Sequence, residues 1–158
     1  MPIGPDEFRA VLGRFASGVT VLTARDAEGR DHGMTVSAFS SVSLQPPLVL
    51  ACIDRAAAML VVLKHTTHLG ISILAEEQEA ISRRFAELPE GRFDGVGFTR
   101  GESGIALLDD ALAHLECRLI DQYDGGDHVI FVARVERASS QLGRPLLYYR
   151  GGYTQLQR

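Results

Sequence analysis

The sequence predicts an antiparallel β-sheet or barrel with helices at its periphery. Short runs rich in β-branched and other apolar residues recur along the chain, and they are too short for typical helices. Two connections have the composition of hairpin turns, DAEGRDHG at residues 26–33 and DGGD at residues 124–127. The amphipathic stretches are inserted between strands without the regular alternation that builds a parallel sheet. Together these observations favour an antiparallel architecture.

Bulk composition indicates one soluble domain covering residues 1–158. The chain is 46% apolar and 23% charged, and its net charge of −4 gives no reason to expect nucleic acid or an anionic membrane as a partner. No apolar run approaches the ~20 residues of a membrane helix. The first residues include acids and lack the apolar segment of a signal peptide. Cys52 and Cys117 are far apart without a CxxC motif, so a reducing cytoplasm is expected.

The first half of the chain predicts two helices and three strands. A helix begins at Pro5 and ends at residues 17–18, with an apolar stripe at helical spacing formed by Phe8, Val11, Leu12 and Phe15. Residues 19–24 form a strand that pairs as a hairpin with the stretch starting at Gly33. Residues 47–53 form a buried strand. A second helix begins at Ala56 behind Asp54, a favourable N-cap residue.

The second half is mostly strand. Residues 69–74 form a strand and residues 76–88 form an amphipathic helix with acids first, whereas residues 90–104 are glycine-rich and irregular. Strands at residues 113–123 and 128–135 form a hairpin. Two short strands at residues 146–149 and 153–156 flank a bend at residues 151–152.

Small hydroxyl side chains are concentrated in the segment at residues 33–50. They are Thr35, Ser37, Ser40, Ser41 and Ser43. Low side-chain volume lets a flat ligand approach the backbone, and the hydroxyls supply donors and acceptors beside backbone N–H groups. A planar heterocycle with several carbonyls and ring nitrogens suits such a wall. The alternative is that threonine and serine are simply good residues for a β-surface.

Three further places are candidates for ligand contact. At Cys52-Ile53-Asp54-Arg55 a strand gives way to a helix, and Arg55 there can contact a docked phosphate or can be an ordinary solvated arginine. Arg83 and Arg84 can clamp a phosphate, or can be surface charge near a helix end. His128 follows the hairpin turn and can contact a ligand or lie in solvent. No metal site is expected, because His65 and His68 lack a third ligand in register.

Five segments, taken in order, resemble one family. They are RFASGVTVLTA at residues 14–24, GMTVSAFSSVSLQPPLVLACI at 33–53, ISRRFA at 81–86, GGDHVIFVARV at 125–135 and PLLYYRGGY at 145–153. Together they resemble the flavin reductase-like family with the FMN-binding split-barrel fold. The nearest resemblance is to the small reductase components of two-component aromatic monooxygenases, and it covers nearly the whole chain.

The resemblance implies a closed antiparallel Greek-key barrel that forms a homodimer with flavin near the subunit interface. It also implies FMN or FAD as cofactor or substrate, and NADH or NADPH as electron donor. The reaction implied is transfer of a hydride from nicotinamide C4 to flavin N5, with the reduced flavin supplied to a partner monooxygenase. That chemistry belongs to the two cofactors, so the protein needs no nucleophile or strong base.

Site residues also follow from the resemblance. The ring-side residues are Thr35, Val36, Ser37 and Ala38, continued by Ser40 and Ser41. The ribityl and phosphate end is held by Cys52, Ile53, Asp54 and Arg55, and is approached by Ser82, Arg83, Arg84 and Phe85. The nicotinamide side carries His128, with Tyr148, Arg150 and Tyr153 near the same pocket. Relatives often have Ser or Asn at the position of Cys52, so a side-chain contact there is in doubt.

Other functions stay open at this level. The acceptor can instead be a ferric chelate or a corrinoid. The protein can also be a flavin-carrying electron-transfer or storage protein that NAD(P)H does not reduce, or a barrel without ligand. The sequence does not decide FMN against FAD, NADH against NADPH, or the partner monooxygenase and its substrate.

Overall fold

A computed structural model describes residues 2–157 as strands with a few short helices. The helices are α1 (Pro5–Leu12), α2 (Met59–Leu63) and α3 (Glu79–Glu87), the last preceded by a 3₁₀ turn at Glu76–Gln78. The first six strands are β1 (Ser17–Gly18), β2 (Thr20–Arg25), β3 (Asp31–Val36), β4 (Phe39–Ser43), β5 (Leu48–Asp54) and β6 (His68–Ile73). The remaining strands are β7 (Phe98–Arg100), β8 (Ala106–Leu108), β9 (Ala113–Gly125), β10 (His128–Ser140), β11 (Leu146–Tyr149) and β12 (Gly152–Gln155).

Seven strands form one sheet in the order β3-β2-β6-β9-β10-β5-β4, and every neighbouring pair is antiparallel. The two edge strands, β3 and β4, are joined by only Ser37 and Ala38. So short a link requires the two edges to meet there, and the sheet therefore curls into a barrel that is split between β3 and β4. The predicted antiparallel barrel with peripheral helices is confirmed. The β9–β10 hairpin separates β5 from β6 in the sheet, so the intervening chain crosses the barrel, as a Greek-key connection does.

Every second residue of β5 and of the first half of β10 faces the barrel interior. In β5 the buried positions include Val49 and Ile53, and in β10 they include Val129 and Phe131, in agreement with strand alternation. Four of the five residues of α2 are buried in the same core. Helix α2, which belongs to the connection between β5 and β6, thus closes the barrel.

Helix α2 is shorter than predicted, and Asp54 does not cap it. The side chain of Asp54 accepts a hydrogen bond of 2.8 Å from the backbone N–H of Ala56, and the helix begins only at Met59. The chain is extended again from His68, where β6 begins. The two residues before it, Thr66 and Thr67, are β-branched and favour extended backbone. The prediction mistook a tight turn for a first helical turn.

A second layer covers the outside of β2 and β3. It contains α3 and the three-stranded sheet β1-β11-β12. A separate apolar cluster lies beneath it, with Val21, Leu74, Phe85 and Leu146 among its fully buried members. This layer matters for function, because it places α3 and the chain that follows it beside the free edge of β3.

Two further predictions need correction. Helix α1 ends at Leu12, and none of its residues is buried, since the stripe from Phe8 to Leu12 faces solvent and Phe15 is 81% exposed. The segment at 90–104, predicted to be irregular, contains β7, which pairs with β8 as a small hairpin. Among residues 2–157, the helices lack the length and hydropathy needed to cross a membrane.

Candidate active site

A cleft of about 900 Å³ opens at the free edge of β3. Its walls are β3 itself, the turn between β5 and α2, and the end of α3 with the loop that follows. The lining residues are Arg30, Asp31, His32, Gly33, Met34, Thr35, Asp54, Ala56, Ala57, Ala58, Met59, Phe85, Ala86, Pro89, Glu90, Gly91, Arg92, Phe93 and Asp94. Six of these nineteen are glycine or alanine, so much of the wall is close to backbone. The volume falls within the range of small-molecule sites, roughly 300–1,000 Å³.

The edge position of β3 exposes backbone hydrogen-bonding groups to this cleft. In an antiparallel edge strand every second residue turns its N–H and C=O away from the paired neighbour. The guanidinium of Arg92 donates a hydrogen bond of 2.7 Å to the carbonyl of Gly33, which marks Gly33 as one of these residues. By alternation Thr35 is another. The free edge of β3 therefore presents the peptide groups of Gly33 and Thr35.

Gly33 is required at its position by the packing behind β3. A Cβ added there would lie 2.7 Å from Cε1 of Phe85, 2.8 Å from its Cδ1 and 3.2 Å from Phe93. Phe85 is fully buried, and its ring contacts Phe93 edge to face with centroids 5.0 Å apart. The glycine thus allows α3 and its loop to approach the strand closely, and a glycine inside a predicted strand is a signal of such an approach.

Hydroxyl groups connect β3 to α3 and then to β12. Thr35 Oγ1 donates a hydrogen bond of 2.6 Å to the carbonyl oxygen of Ser82, and the Ser82 hydroxyl lies 2.6 Å from that of Tyr153. Tyr153 in turn packs edge to face on Tyr148, with centroids 5.4 Å apart. The structure therefore brings four of the predicted site residues together. It also shows that the hydroxyls of Thr35 and Ser82 hold the wall in place.

The rest of the hydroxyl-rich segment continues the wall beyond the cleft. Val36 is buried in the barrel core, whereas Ser37 and Ala38 are exposed in the link between the edge strands. On β4, Ser40 and Ser41 are exposed, and the Ser40 hydroxyl donates to the carbonyl of Ser41. Their side chains do not line the cleft. They lie along the same split of the barrel.

In the turn between β5 and α2, Asp54 lines the cleft and Arg55 does not. Arg55 donates to the carbonyl of Gly126 and to the carboxylate of Asp124, both at 2.8 Å, and so clamps the β9–β10 hairpin. Ile53 is fully buried in the core. Cys52 is half-buried, and burial raises the pKa of its thiol, which keeps it protonated.

His128 is the residue of β10 directly opposite Asp54 of β5, at the cleft's end of the barrel. Its Nδ1 lies 2.7 Å from a carboxylate oxygen of Asp127, and this hydrogen bond lowers the pKa of Asp127. The contact fixes the orientation of the ring through one nitrogen. The other nitrogen, Nε2, keeps its capacity for a ligand.

The predicted arginines of α3 are engaged within the protein. Arg83 pairs with Glu79 at 2.9 Å and stacks over the ring of Tyr153, 4.8 Å from its centroid. Arg84 donates to the carbonyls of Gly91, Arg92 and Asp94 and holds the loop that borders the cleft. Neither lines the cleft. Arg150 of the C-terminal motif is exposed, and its backbone N–H donates to the carbonyl of Gly13.

Sequence reasoning missed Arg92, which is the cationic residue of the third wall. It donates from Nε to the carbonyl of Leu88 at 2.6 Å as well as to Gly33. No local pattern marks it, because it stands in a glycine-rich loop and its partner in β3 is 59 residues away. Burial lowers the pKa of Arg92, since the guanidinium is partly removed from water.

The outer rim of the cleft is a network of opposite charges. Asp26 accepts hydrogen bonds from His32 at 2.9 Å and from Arg30 at 3.1 Å, and these contacts hold its pKa well below the ordinary range. Asp31 accepts two hydrogen bonds from Arg100, at 2.7 and 2.9 Å. The hairpin between β2 and β3 is therefore fixed where it borders the opening.

The arrangement suits binding and orientation of a planar heterocycle. Small side chains leave a flat space, and the N–H of Gly33 and the peptide group of Thr35 offer hydrogen-bonding groups to the edges of a ring. Phe85 and Phe93 give the strand a rigid backing. When the reactive groups belong to the bound molecules, such a wall needs only to hold those molecules in the correct relative position.

Comparison with known proteins identifies the family. The flavin reductase like domain model matches residues 12–157. An NADH-dependent flavin reductase of a Rhodococcus species is 43% identical over 157 residues, which cover 98% of this chain and 88% of that protein. The reductase component of a Thermus thermophilus 4-hydroxyphenylacetate 3-monooxygenase is 42% identical over 152 residues, which cover 96% of each.

A solved structure gives the same result. An NADH:FAD oxidoreductase of Streptomyces globisporus, in complex with NAD and FAD fragments, superposes with a TM-score of 0.92 at 36% identity, covering 99% of this chain and 97% of that one. The resemblance found in the sequence is thereby confirmed, and the chain belongs to the flavin reductase-like family.

Proposed function

We propose that the protein oxidises NADH and reduces a flavin, FMN or FAD, in the cleft at the free edge of β3. The proposal is carried by the wall itself, an edge strand that turns the Gly33 N–H and the Thr35 peptide group toward the cleft and is bordered by glycine and alanine, in a member of this family. A flavin ring is planar and has carbonyl and N–H groups along one edge, which this wall complements.

Residues of β3 and of the link to β4 would hold the flavin ring. Thr35 contributes its peptide group, and the exposed residues Ser37, Ala38, Ser40 and Ser41 extend the wall along the split. Asp54 and the alanines after it border the ribityl side, with the peptide groups of residues 52–55 as further contacts. His128 lies across from Asp54 and faces the nicotinamide.

When bound, the two cofactors supply the chemistry, a hydride passing from nicotinamide C4 to flavin N5. The residues of this chain orient the rings and stabilise charge. Backbone N–H groups on the free edge of β3 donate toward the ring edge, where a reduced flavin carries negative charge. Thr35, Ser82 and Tyr153 hold that edge in place through their hydrogen bonds.

NADH is the proposed donor. Two relatives carry NADH in their names, the Rhodococcus flavin reductase and the Streptomyces oxidoreductase. Within the cleft rim Arg30 is already paired with Asp26 and Glu28. At the rim, Arg30 therefore does not offer the free basic group that the 2′-phosphate of NADPH would need there.

The reduced flavin serves a monooxygenase component, and the protein works as a homodimer in the cytoplasm. The Thermus relative is a reductase component of such a system. The outward face of β5 and β10 supports the dimer, because Leu50, Cys52, Ile130 and Val132 are only half-buried there and α3 packs on β2 and β3 instead. A second copy would cover this apolar wall.

Steady-state oxidation of NADH, followed by its absorbance with and without added FMN or FAD, tests the function. The proposal predicts oxidation that depends on flavin and is faster with NADH than with NADPH. A stably yellow protein that leaves NADH unoxidised would instead be a flavin carrier. Light scattering coupled to size exclusion tests the dimer.

A further inference from the structure

Arg92 connects two walls of the cleft. It stands in the loop after α3, donates from Nε to the carbonyl of Leu88 at 2.6 Å, and donates from Nη1 to the carbonyl of Gly33 at 2.7 Å. The side chain is half-buried and lines the cleft. Its position is therefore fixed relative to the edge strand on which the proposed flavin wall is built.

The charge of Arg92 is not matched by a carboxylate. The other arginine of the cleft, Arg30, is neutralised by Asp26 and Glu28. Both hydrogen-bond partners of Arg92 are neutral carbonyls. Within residues 2–157, no carboxylate oxygen lies within the 4.0 Å of an ion pair with Arg92, although Glu90 and Asp94 belong to the same loop.

A partly buried cation without a counterion favours binding of an anion. Loss of hydration disfavours the charged form, which is the reason that the pKa of Arg92 is lowered. A guanidinium has five N–H donors, and the hydrogen bonds to Leu88 and Gly33 use two of them. The remaining donors include both on Nη2, in the planar arrangement that suits phosphate oxygens.

We propose that Arg92 is the phosphate-binding residue of the cleft and that its ligand is a phosphate ester of the bound nucleotide. The identity of that nucleotide rests on the proposed function. It is either the 5′-phosphate of the flavin or the pyrophosphate of the nicotinamide donor. Arg83 and Arg84 do not have this role, because Arg83 is paired with Glu79 and Arg84 holds loop carbonyls.

The test compares ligands that differ only in phosphate. Equilibrium fluorescence titration measures the dissociation constants of FMN and riboflavin for the wild type, Arg92→Gln and Arg92→Lys. Steady-state kinetics measures KM for NADH and for a phosphate-free N-alkyl dihydronicotinamide. If the flavin phosphate is bound, Arg92→Gln weakens FMN about tenfold to a hundredfold and leaves riboflavin unchanged. If Arg92 binds the pyrophosphate of the donor, Arg92→Gln raises KM for NADH by the same factor and leaves KM for the phosphate-free dihydronicotinamide unchanged. In either case Arg92→Lys restores much of the selectivity.

Arg84→Gln is the matched control. Its guanidinium also holds carbonyls of this loop but does not line the cleft, so its loss should weaken phosphorylated and phosphate-free ligands by one common factor. If Arg92→Gln also weakens phosphorylated and phosphate-free ligands by one common factor, for the flavins and for the nicotinamide donors alike, then Arg92 only supports the loop and the proposal is overturned. Flavin titration needs no turnover. FMN binding that depends on Arg92 in a protein that leaves NADH unoxidised would uphold this inference and overturn the proposed function.

Discussion

The hydroxyl of Ser82 lies 2.6 Å from the hydroxyl of Tyr153, although 71 residues separate them in the chain. Ser82 is fully buried in α3, and its carbonyl accepts the hydrogen bond from Thr35 on β3. One residue of α3 thus connects the C-terminal strand to the wall of the cleft. The C-terminal motif supports the site from behind.

Tyr153→Phe should therefore lower stability. The change leaves the buried Ser82 hydroxyl without its partner, and the free energy of unfolding should fall by about 1–2 kcal/mol. Urea denaturation measures this. Tyr123→Phe is the control, because that hydroxyl bonds Asp121 on an exposed surface and its loss should be within roughly 0.5 kcal/mol. Equal effects of the two changes would contradict a supporting role for the Ser82–Tyr153 contact.

Gly33→Ala should be destabilising and should narrow the cleft. The new methyl group would lie 2.7 Å from the buried ring of Phe85, so either the strand or α3 must shift. We expect a loss of about 1–3 kcal/mol in unfolding free energy and weaker flavin binding. Gly18→Ala is the matched strand substitution, with nothing within 4 Å of the added atom. A Gly33→Ala protein as stable as Gly18→Ala would show that the packing is looser than described.

His128→Ala should weaken use of NADH more than binding of flavin. The residue lies across from Asp54, which lines the cleft, and its Nε2 is the nitrogen that remains for a ligand. Loss of one hydrogen bond to the donor would raise KM for NADH about tenfold, with the flavin dissociation constant little changed. Exposed His65 provides the control substitution. Unchanged nicotinamide kinetics would remove His128 from the proposed donor side.

Cys117 should make stability fall at high pH. Burial, with Glu136 and Glu116 nearby, raises the pKa of its thiol from 9.0 to about 12. Between these values the unfolded chain loses this proton while the native protein keeps it, so the free energy of unfolding falls as pH rises from 9.0 toward 12. One such group contributes at most about 1.4 kcal/mol per pH unit. The difference between wild type and Cys117→Ala, measured by denaturation across this range, should shrink as pH rises. A constant difference would mean that the thiol titrates normally in the folded protein.

Local patterns predicted the antiparallel strands well, because hairpin turns and strand alternation are encoded by neighbouring residues, whereas the choice of a closed barrel came from the family resemblance. Thr35 was found in the same way, from hydroxyls on an alternating strand. The apolar stripe of α1 was predicted from its spacing, which identifies a face but not what covers it, and the structure leaves that stripe exposed. Arg92 escaped detection because its role depends on a contact with Gly33 in a distant strand. Arg84 has the right chemistry for phosphate, yet its position directs it to loop carbonyls.

A crystal structure of the protein with FMN would show directly whether the free edge of β3 binds the flavin. We expect the isoalloxazine ring against that edge, with ring heteroatoms within hydrogen-bond distance, about 3 Å, of the peptide group of Thr35. FMN bound at another surface, with the cleft beside Gly33 and Thr35 filled by the protein's own side chains, would contradict it.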